Sequence, residues 1–318
     1  MRPAGDQLAD DRGGERVDAF LRQRLGGQVT NLERINHGEW STAFSFTHRS
    51  GQYVVRFSAR DEDFLKDQRV MRYRSSVLPV PNIIDIGPAF DGFYALSQQI
   101  SGRFFDTLDG AQLHHALPSL FDALDAMRTA DITDSNGFGI WDGSGNAPHA
   151  TWHAVLLDVA TDRATNRTHG WRERLLSQSD AAEAFEVAYA ALRRSLTDVP
   201  RDARYLVHSD LLNFNVLVDH DVLSGVIDWG SALYGDFVWD IAWLTFWQPW
   251  YPAWRGIDIT SAAQAHYAAI GLDVPNFAAR VRCCELAIGL DGMAYQAFKQ
   301  RWSDLEATGK RVLAIVRR

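Results

Sequence analysis

"LVHSDLLNFNVLVDHDVLSGVIDWG" runs from Leu206 to Gly230. Val207, Leu217, Val218, Val226 and Ile227 read as buried β-structure. His208, Asp210, Asn215 and Asp228 interrupt that apolar pattern. A polar group inside an apolar run must be hydrogen-bonded, paired or bound to metal. Three readings compete. Asp and Asn cap turns, and Asp219-His220-Asp221 needs no further role than that. A zinc site would need close His or Cys ligands; His208 has neither an HExxH helix nor a Cys partner. The third reading is phosphoryl transfer.

"HSDLLNFN" fits H-x-D-L-x-x-x-N, the kinase catalytic loop, with Ser209 where protein kinases carry Arg. "VIDWG" stands where a kinase has its strand and Asp-Phe-Gly turn, with Trp229 for Phe. The chemistry explains the spacing. Asp210 would accept a hydrogen bond from the attacking hydroxyl and take its proton. Asn215 and Asp228 would hold Mg2+, a hard cation suited to oxygen ligands. His208 is expected to prop the loop rather than move protons.

The preceding residues supply the other parts in order. "STAFSFTHRSGQYVVRFSA" alternates, turns at Ser50-Gly51 and alternates again, a hairpin signal. "NHGEWSTAFSF" would cover the nucleotide with backbone N–H groups around Gly38, Ser41 and Thr42. Arg56 occupies the phosphate-facing basic position. "DEDFLKDQRVMRYRSS" has helical character, and "LPVPNIIDIG" and "GFYALSQQISG" read as two more strands. "LSQQIS" is the expected hinge, with Gln98 and Ile100 meeting adenine. There is no G-x-x-x-x-G-K-[ST], which disfavours P-loop enzymes.

The chain has 318 residues, 46% hydrophobic and 23% charged, with a net charge of −8. That is ordinary for a soluble globular protein with a large core. No basic block is present, so nucleic acid is not an expected partner. The acidic balance suits a cationic substrate, although most acidic proteins simply have acidic surfaces. The cysteines, Cys283 and Cys284, are adjacent; they are expected to be reduced, in a cytoplasmic setting. No signal core or membrane-length apolar run occurs. A monomer is expected.

After Gly102 the spacing becomes helical, over residues 111–130, 181–196 and 277–302. Residues 135–152 read as a loop. The expected organisation is a flexible segment 1–14, a nucleotide-binding lobe 15–99 and a catalytic and substrate-binding lobe 100–318. The fold class is α+β, protein-kinase-like and bilobal, with a small β-sheet lobe holding one helix and a larger, mainly helical lobe.

"IDWGSALYGDFVWDIAWL" reaches Asp240 without A-P-E, leaving no room for a regulatory activation segment. With "GEWSTAFSF", "KDQRVMRY", "FWQPW" and "AIGLDG", in this order over about residues 38–292, the chain resembles the aminoglycoside phosphotransferase family. The resemblance is to its hygromycin B-directed branch. It implies Asp210 as catalytic base, Asn215 and Asp228 as metal ligands, and Asp240 as support for the catalytic loop. It implies ATP, with GTP as the alternative, and Mg2+ as cofactors. Most relatives have Lys where Arg56 stands, paired with a helix Glu; here the matching position falls at Lys66, beside Asp67. Either Arg56 pairs with Asp67, or Lys66 helps to hold phosphate.

The acceptor-binding candidates are Asp210, Asn213, Asp236, Trp247, Trp250, Glu285 and Asp291. "TFWQPWYPAW" concentrates aromatic residues, and Trp faces attract ammonium groups, although Trp in a helical lobe is usually core. Asp236, Glu285 and Asp291 could pair with substrate amines or act as caps and surface charges. The expected activity is ATP-dependent O-phosphorylation of an aminoglycoside or aminocyclitol hydroxyl, with antibiotic inactivation as the outcome. A kinase for another small alcohol, a protein kinase and a nucleotide-binding pseudokinase are the alternatives.

Overall fold

The computed structural model describes residues 13–35 and 40–318. Gly38 lies outside the described residues, as do the first twelve positions of the expected flexible segment. The chain forms two compact units. The first comprises residues up to Leu108, with Asp142–Asn146 and Asp210–Ala232; the second comprises Asp109–Trp141, Ala147–Ser209 and Leu233–Arg318. The segment from Asp210 to Ala232, assigned to the C-terminal lobe from sequence, thus packs within the first unit.

In the first unit, helix α1 (Gly13–Leu25) precedes strands β1 (Val29–Ile35), β2 (Thr42–His48) and β3 (Gly51–Ser58). Helix α2 (Glu62–Val70) follows, then β4 (Ile83–Ala89) and β5 (Gly92–Gln98). The strands form one antiparallel sheet, ordered β1-β2-β3-β5-β4. Alternation sets its faces: Phe44 and Phe46 of β2 and Val55 and Phe57 of β3 point inward. Val17 and Leu21, four apart on α1, cover that face. Gly51 pairs with His48, so the hairpin turns at Arg49-Ser50, one residue before the expected place. Arg49 there takes a left-handed φ of 54°.

A second sheet in this unit joins β6 (Arg103–Phe104), β9 (Val216–Asp219) and β10 (Val222–Val226), in the order β10-β9-β6. Asp219 pairs with Val222, so His220-Asp221 is a two-residue turn, with His220 left-handed at φ 56°. Turn chemistry accounts for this acidic cluster.

The second unit is mainly helical. Its helices are α3 (Gly110–Arg128), α4 (Trp152–Asp158), α5 (Trp171–Leu176), α6 (Ser179–Ser195), α7 (Trp239–Trp247), α8 (Ile259–Ala269), α9 (Phe277–Lys299) and α10 (Trp302–Val316). Asp109 starts α3 with a capping box to Gln112, and Thr151 and Asp258 cap α4 and α8. A small sheet, β7-β11-β8, joins Gly139–Ile140, Leu233–Gly235 and Tyr205–Val207. Helix α9 is buried on nearly all sides, with Cys283, Cys284, Leu286, Ile288 and Leu290 inside. It stops at Gln300, which is left-handed at φ 57°, so the expected single helix to residue 302 is two helices. No helix among the described residues is long and apolar enough to cross a membrane.

Candidate active site

Strand β8 delivers the chain to His208, which is fully buried. Buried Asp240, in the first turn of α7, accepts from the backbone N–H of His208 (3.0 Å) and of Ser209 (2.8 Å). Trp239 Nε1 donates to Ser209 Oγ at 2.9 Å. These bonds fix Ser209 in a left-handed conformation, φ 67°. Asn213 and Phe214 are left-handed as well, at φ 60° and 68°. Three such non-glycine residues in six positions are strain that the surroundings must impose.

Burial lifts the Asp240 carboxyl to about 6, against the two backbone bonds that favour its ionised form. A carboxyl held above its unfolded value stabilises while protonated, and that contribution is lost as pH rises from about 4 to about 6. Over that window the wild type should lose roughly 1–3 kcal/mol relative to Asp240→Asn. Urea unfolding of both proteins at pH 4 and pH 7 measures it; identical pH slopes would contradict the expectation.

Beyond Ser209 the loop enters the first unit. Asn213 Nδ2 donates to Asp210 Oδ1 (3.0 Å), and Asn215 Nδ2 donates to the Asp210 carbonyl (2.9 Å). Asp106 accepts from the Phe214 N–H at 3.1 Å. With its amide nitrogen committed to Asp210, Asn215 keeps its amide oxygen as an acceptor end. The Ile227 N–H donates to the Asn215 carbonyl at 2.8 Å. That bond brings Asn215 against the turn carrying Asp228.

Asp228 is itself left-handed, φ 59° and ψ 69°, with its side chain 51% exposed. Arg56 Nη1 lies 4.0 Å from Asp228 Oδ1, and Arg56 Nη2 pairs with Asp67 Oδ2. Burial works to lower the Arg56 pKa, but Asp67 and Asp228 outweigh it, and the guanidinium is held charged. Lost solvation raises the Asp228 pKa; Arg56 opposes this, and Asp67 and Asp63 add to it. A half-exposed carboxylate and an amide oxygen, on segments joined by that backbone bond, are hard-oxygen donors of the kind that fit Mg2+. Among the described residues, no group of three or more His, Cys, Asp or Glu forms a metal cluster.

The open question about Arg56 and Lys66 resolves by geometry. Arg56 pairs with Asp67. Lys66 is fully buried, and its ammonium donates to the carbonyls of Gly230 (2.5 Å) and Ala232 (3.3 Å). Lys66 is therefore turned to the backbone of the Asp228 turn, not offered to phosphate.

Ser41 is half-buried, and Thr42 opens β2 opposite Phe57. At the hinge, the Gln98 N–H already donates to the Asn82 carbonyl, at 3.1 Å. Half-buried Ile100 packs over Gly225, where an added Cβ would come within 2.9 Å of Ile100 Cδ1.

The acceptor candidates of the second unit divide. Asp236 is fully buried, and both its oxygens bind Arg280, at 2.6 and 2.9 Å. Glu285, 2% exposed, accepts from Thr245 Oγ1 (3.0 Å) and Arg318 Nη2 (2.6 Å). It lines a cavity of about 620 Å³ with Thr245, Gln248, Arg311 and Arg318, to which no catalytic-loop residue contributes. Neither acid is free to meet a substrate amine. The sequence pattern misled because a buried ion pair and a binding acid look alike in it.

Trp247, Trp250 and Asp291 fare differently. Trp250 is 38% exposed, stacks on Phe246 at 6.1 Å and meets Trp247 at 5.1 Å. Gly292 lies against Trp247, where an added Cβ would sit 3.1 Å from the indole. Asp291 precedes Gly292 on α9; its residue surface is exposed, yet lost solvation lifts its carboxyl to about 6. Trp243, which sequence reading passed over, meets Trp247 at 6.0 Å. The buried Nε1 atoms of Trp243 and Trp247 have no partner among the described residues.

Comparison with known proteins follows this geometry. The family described as "Phosphotransferase enzyme family" matches residues 31–274. The chain is 28% identical over 303 residues to hygromycin-B 4-O-kinase of Escherichia coli, covering 95% of this chain and 84% of that protein. It superposes on the crystal structure of aminoglycoside phosphotransferase APH(4)-Ia with a TM-score of 0.83 at 28% identity, covering 95% and 98% of the two chains. A thermostable mutant of that enzyme, in ternary complex with AMP-PNP and hygromycin B, gives a TM-score of 0.82. The GDP complex of an aminoglycoside 2'-phosphotransferase-IIIa mutant, 12% identical, shares the fold with a TM-score of 0.67. The architecture is accordingly protein-kinase-like, an antiparallel sheet followed by a mainly helical region, as the sequence implied. With the model of that family matched over residues 31–274, and with Asp210, Asn215 and Asp228 assembled in one loop-and-turn pair, the chain belongs to the phosphotransferase enzyme family and is a small-molecule kinase.

Proposed function

We propose that the chain transfers the γ-phosphoryl group of ATP to a hydroxyl of an aminocyclitol antibiotic of the hygromycin B type. The observation that supports this most is the Ile227-to-Asn215 backbone bond, which sets Asp228 beside the loop of Asp210. In the reaction, the acceptor oxygen bonds to the γ-phosphorus, the bond to the bridging oxygen breaks, and ADP leaves. Asp210, oriented by Asn213, accepts the hydroxyl proton. Asn215 and Asp228 would hold Mg2+, which supplies charge neutralisation along the phosphates. Arg56 adds a fixed positive charge, kept in place by Asp67. Ser41, Thr42 and Ile100 are assigned to the nucleotide, with Gly38 as a further candidate outside the described residues. His208 and Asp240 hold the loop that carries the base.

Trp247, Trp250 and Asp291 are assigned to the cationic acceptor, by stacking and charge. Residues 15–99 supply the nucleotide side. A monomer in the cytoplasm, where ATP is abundant, accords with this role. The substrate assignment draws on the 28% identity to the hygromycin-B kinase. A coupled ADP-release assay with hygromycin B, other aminoglycosides, macrolides and simple alcohols tests it. Release with hygromycin B alone fits; release only with a different alcohol would reassign the acceptor, and none at all would leave a nucleotide-binding protein.

Trp250→Ala should raise the acceptor KM about 2- to 30-fold, the equivalent of roughly 0.5–2 kcal/mol for one aromatic–cation contact. The ATP KM should stay near wild type. Both constants, with a thermal midpoint as folding control, decide it; an unchanged acceptor KM in a folded variant would free Trp250 from that role.

A further inference from the structure

Among the lysines and arginines of the first unit, Lys66 is the conspicuous one. Its side chain is fully buried. A buried ammonium is costly unless its donors are satisfied. Here they meet the carbonyls of Gly230 and Ala232, directly after Asp228-Trp229. The neighbouring residue acts on the same turn: Asp67 Oδ1 accepts from the Trp229 N–H at 2.9 Å, while its other oxygen holds Arg56. Trp229 is buried too, and its Nε1 donates to the Val226 carbonyl at 3.1 Å. Two consecutive residues of α2 thus grip the backbone of residues 229–232.

The grip has a purpose that packing alone does not explain. Asp228 is left-handed at φ 59°, a conformation aspartate tolerates better than most residues but does not favour when free. Released, the turn could relax and carry the carboxylate away from Asn215. Asp63 and Asp67 also repel that carboxylate. Something must hold it in place against both strain and repulsion.

We propose that Lys66 is a positioning residue, which clamps the Gly230 and Ala232 carbonyls so that Asp228 stays presented as a magnesium ligand. This rests on the reading of Asp228 given above. Lys66 touches neither the nucleotide nor the acceptor in this role. It acts through the turn, with Asp67 as its partner clamp.

The test titrates AMP-PNP into the full chain, with and without Mg2+, by calorimetry. Lys66→Met removes the donors at similar length. It should weaken magnesium-dependent nucleotide binding at least 10-fold and leave metal-free binding within about 2-fold. Hydrogen exchange of residues 228–232 should accelerate in parallel, and the acceptor KM should stay unchanged. Lys66→Gln, with two donors on a shorter stem, should lose less. A folded Lys66→Met with wild-type magnesium dependence would overturn the clamp while leaving the Asp228 reading intact. No magnesium dependence in the wild type would overturn both. Should Lys66→Met not fold, Lys66→Gln decides: a partial loss of magnesium-dependent binding with faster exchange over residues 228–232 supports the clamp, and wild-type values of both would overturn it.

Discussion

Asp210→Ala should reduce turnover by about 10²–10⁴-fold, the usual contribution of a positioned general base. AMP-PNP affinity should remain close to wild type, because the base meets the acceptor hydroxyl and not the nucleotide. Asp210→Asn is the companion variant. It keeps the shape and can still accept from Asn213, yet it cannot take a proton. If both variants lose turnover equally, the loss is chemical. If Asn restores most of it, Asp210 acts mainly as a strut for the loop. Asn213 enters the same argument from the other side, since it orients Oδ1 at 3.0 Å. Turnover near wild type in Asp210→Ala would remove the residue from the chemistry altogether.

The strands were legible because alternation is a local signal. Phe44, Phe46, Val55 and Phe57 announce a hairpin whose inner face the structure buries. The one-residue shift of its turn arises because Gly51 pairs across to His48 rather than turning. Helix α1 escaped because its signal is only Val17 and Leu21 within a polar sequence; its burial depends on the sheet it covers. The break at Gln300 escaped because nothing short of the backbone itself marks a glutamine as left-handed.

The catalytic loop and the Asp228 turn were legible for a different reason. The chemistry demands particular side chains at particular separations, and Asp210, Asn215 and Asp228 stand at them. Charge partners were not legible in the same way. Asp236 and Glu285 look in sequence like Asp291, but Arg280 occupies the first and Arg318 and Thr245 the second. Those partners lie 33 to 44 positions away in the chain. The role of Lys66 stayed open in the sequence for the same reason: its partners, Gly230 and Ala232, are backbone carbonyls more than 160 residues on, and no side chain marks them.

Asp228→Asn should abolish the magnesium-dependent part of nucleotide binding while leaving the fold intact. Asn tolerates a left-handed backbone as aspartate does, so the turn at φ 59° suffers no new strain. Asp228→Ala would confuse the two effects, because alanine resists that conformation. Partners of a metal site one bond removed from the ion already cost about 10–100-fold in affinity when lost. A direct ligand should cost at least as much. The free protein should respond in the opposite direction. Asp63, Asp67 and Asp228 surround a single guanidinium; lost solvation does most to raise the Asp228 pKa, Arg56 pulls it down, and Asp67 and Asp63 add to the rise. Replacing one of three negative charges relieves repulsion, so the thermal midpoint without Mg2+ should not fall and should rise at low ionic strength. Binding strength is thereby obtained at the expense of stability in the empty site. Midpoints of wild type and Asp228→Asn, with and without Mg2+ and AMP-PNP, separate the two arms. A variant that keeps the wild-type magnesium-dependent shift would show that the ligand lies elsewhere. One that loses stability in the absence of metal would show that Asp228 supports the turn rather than straining it.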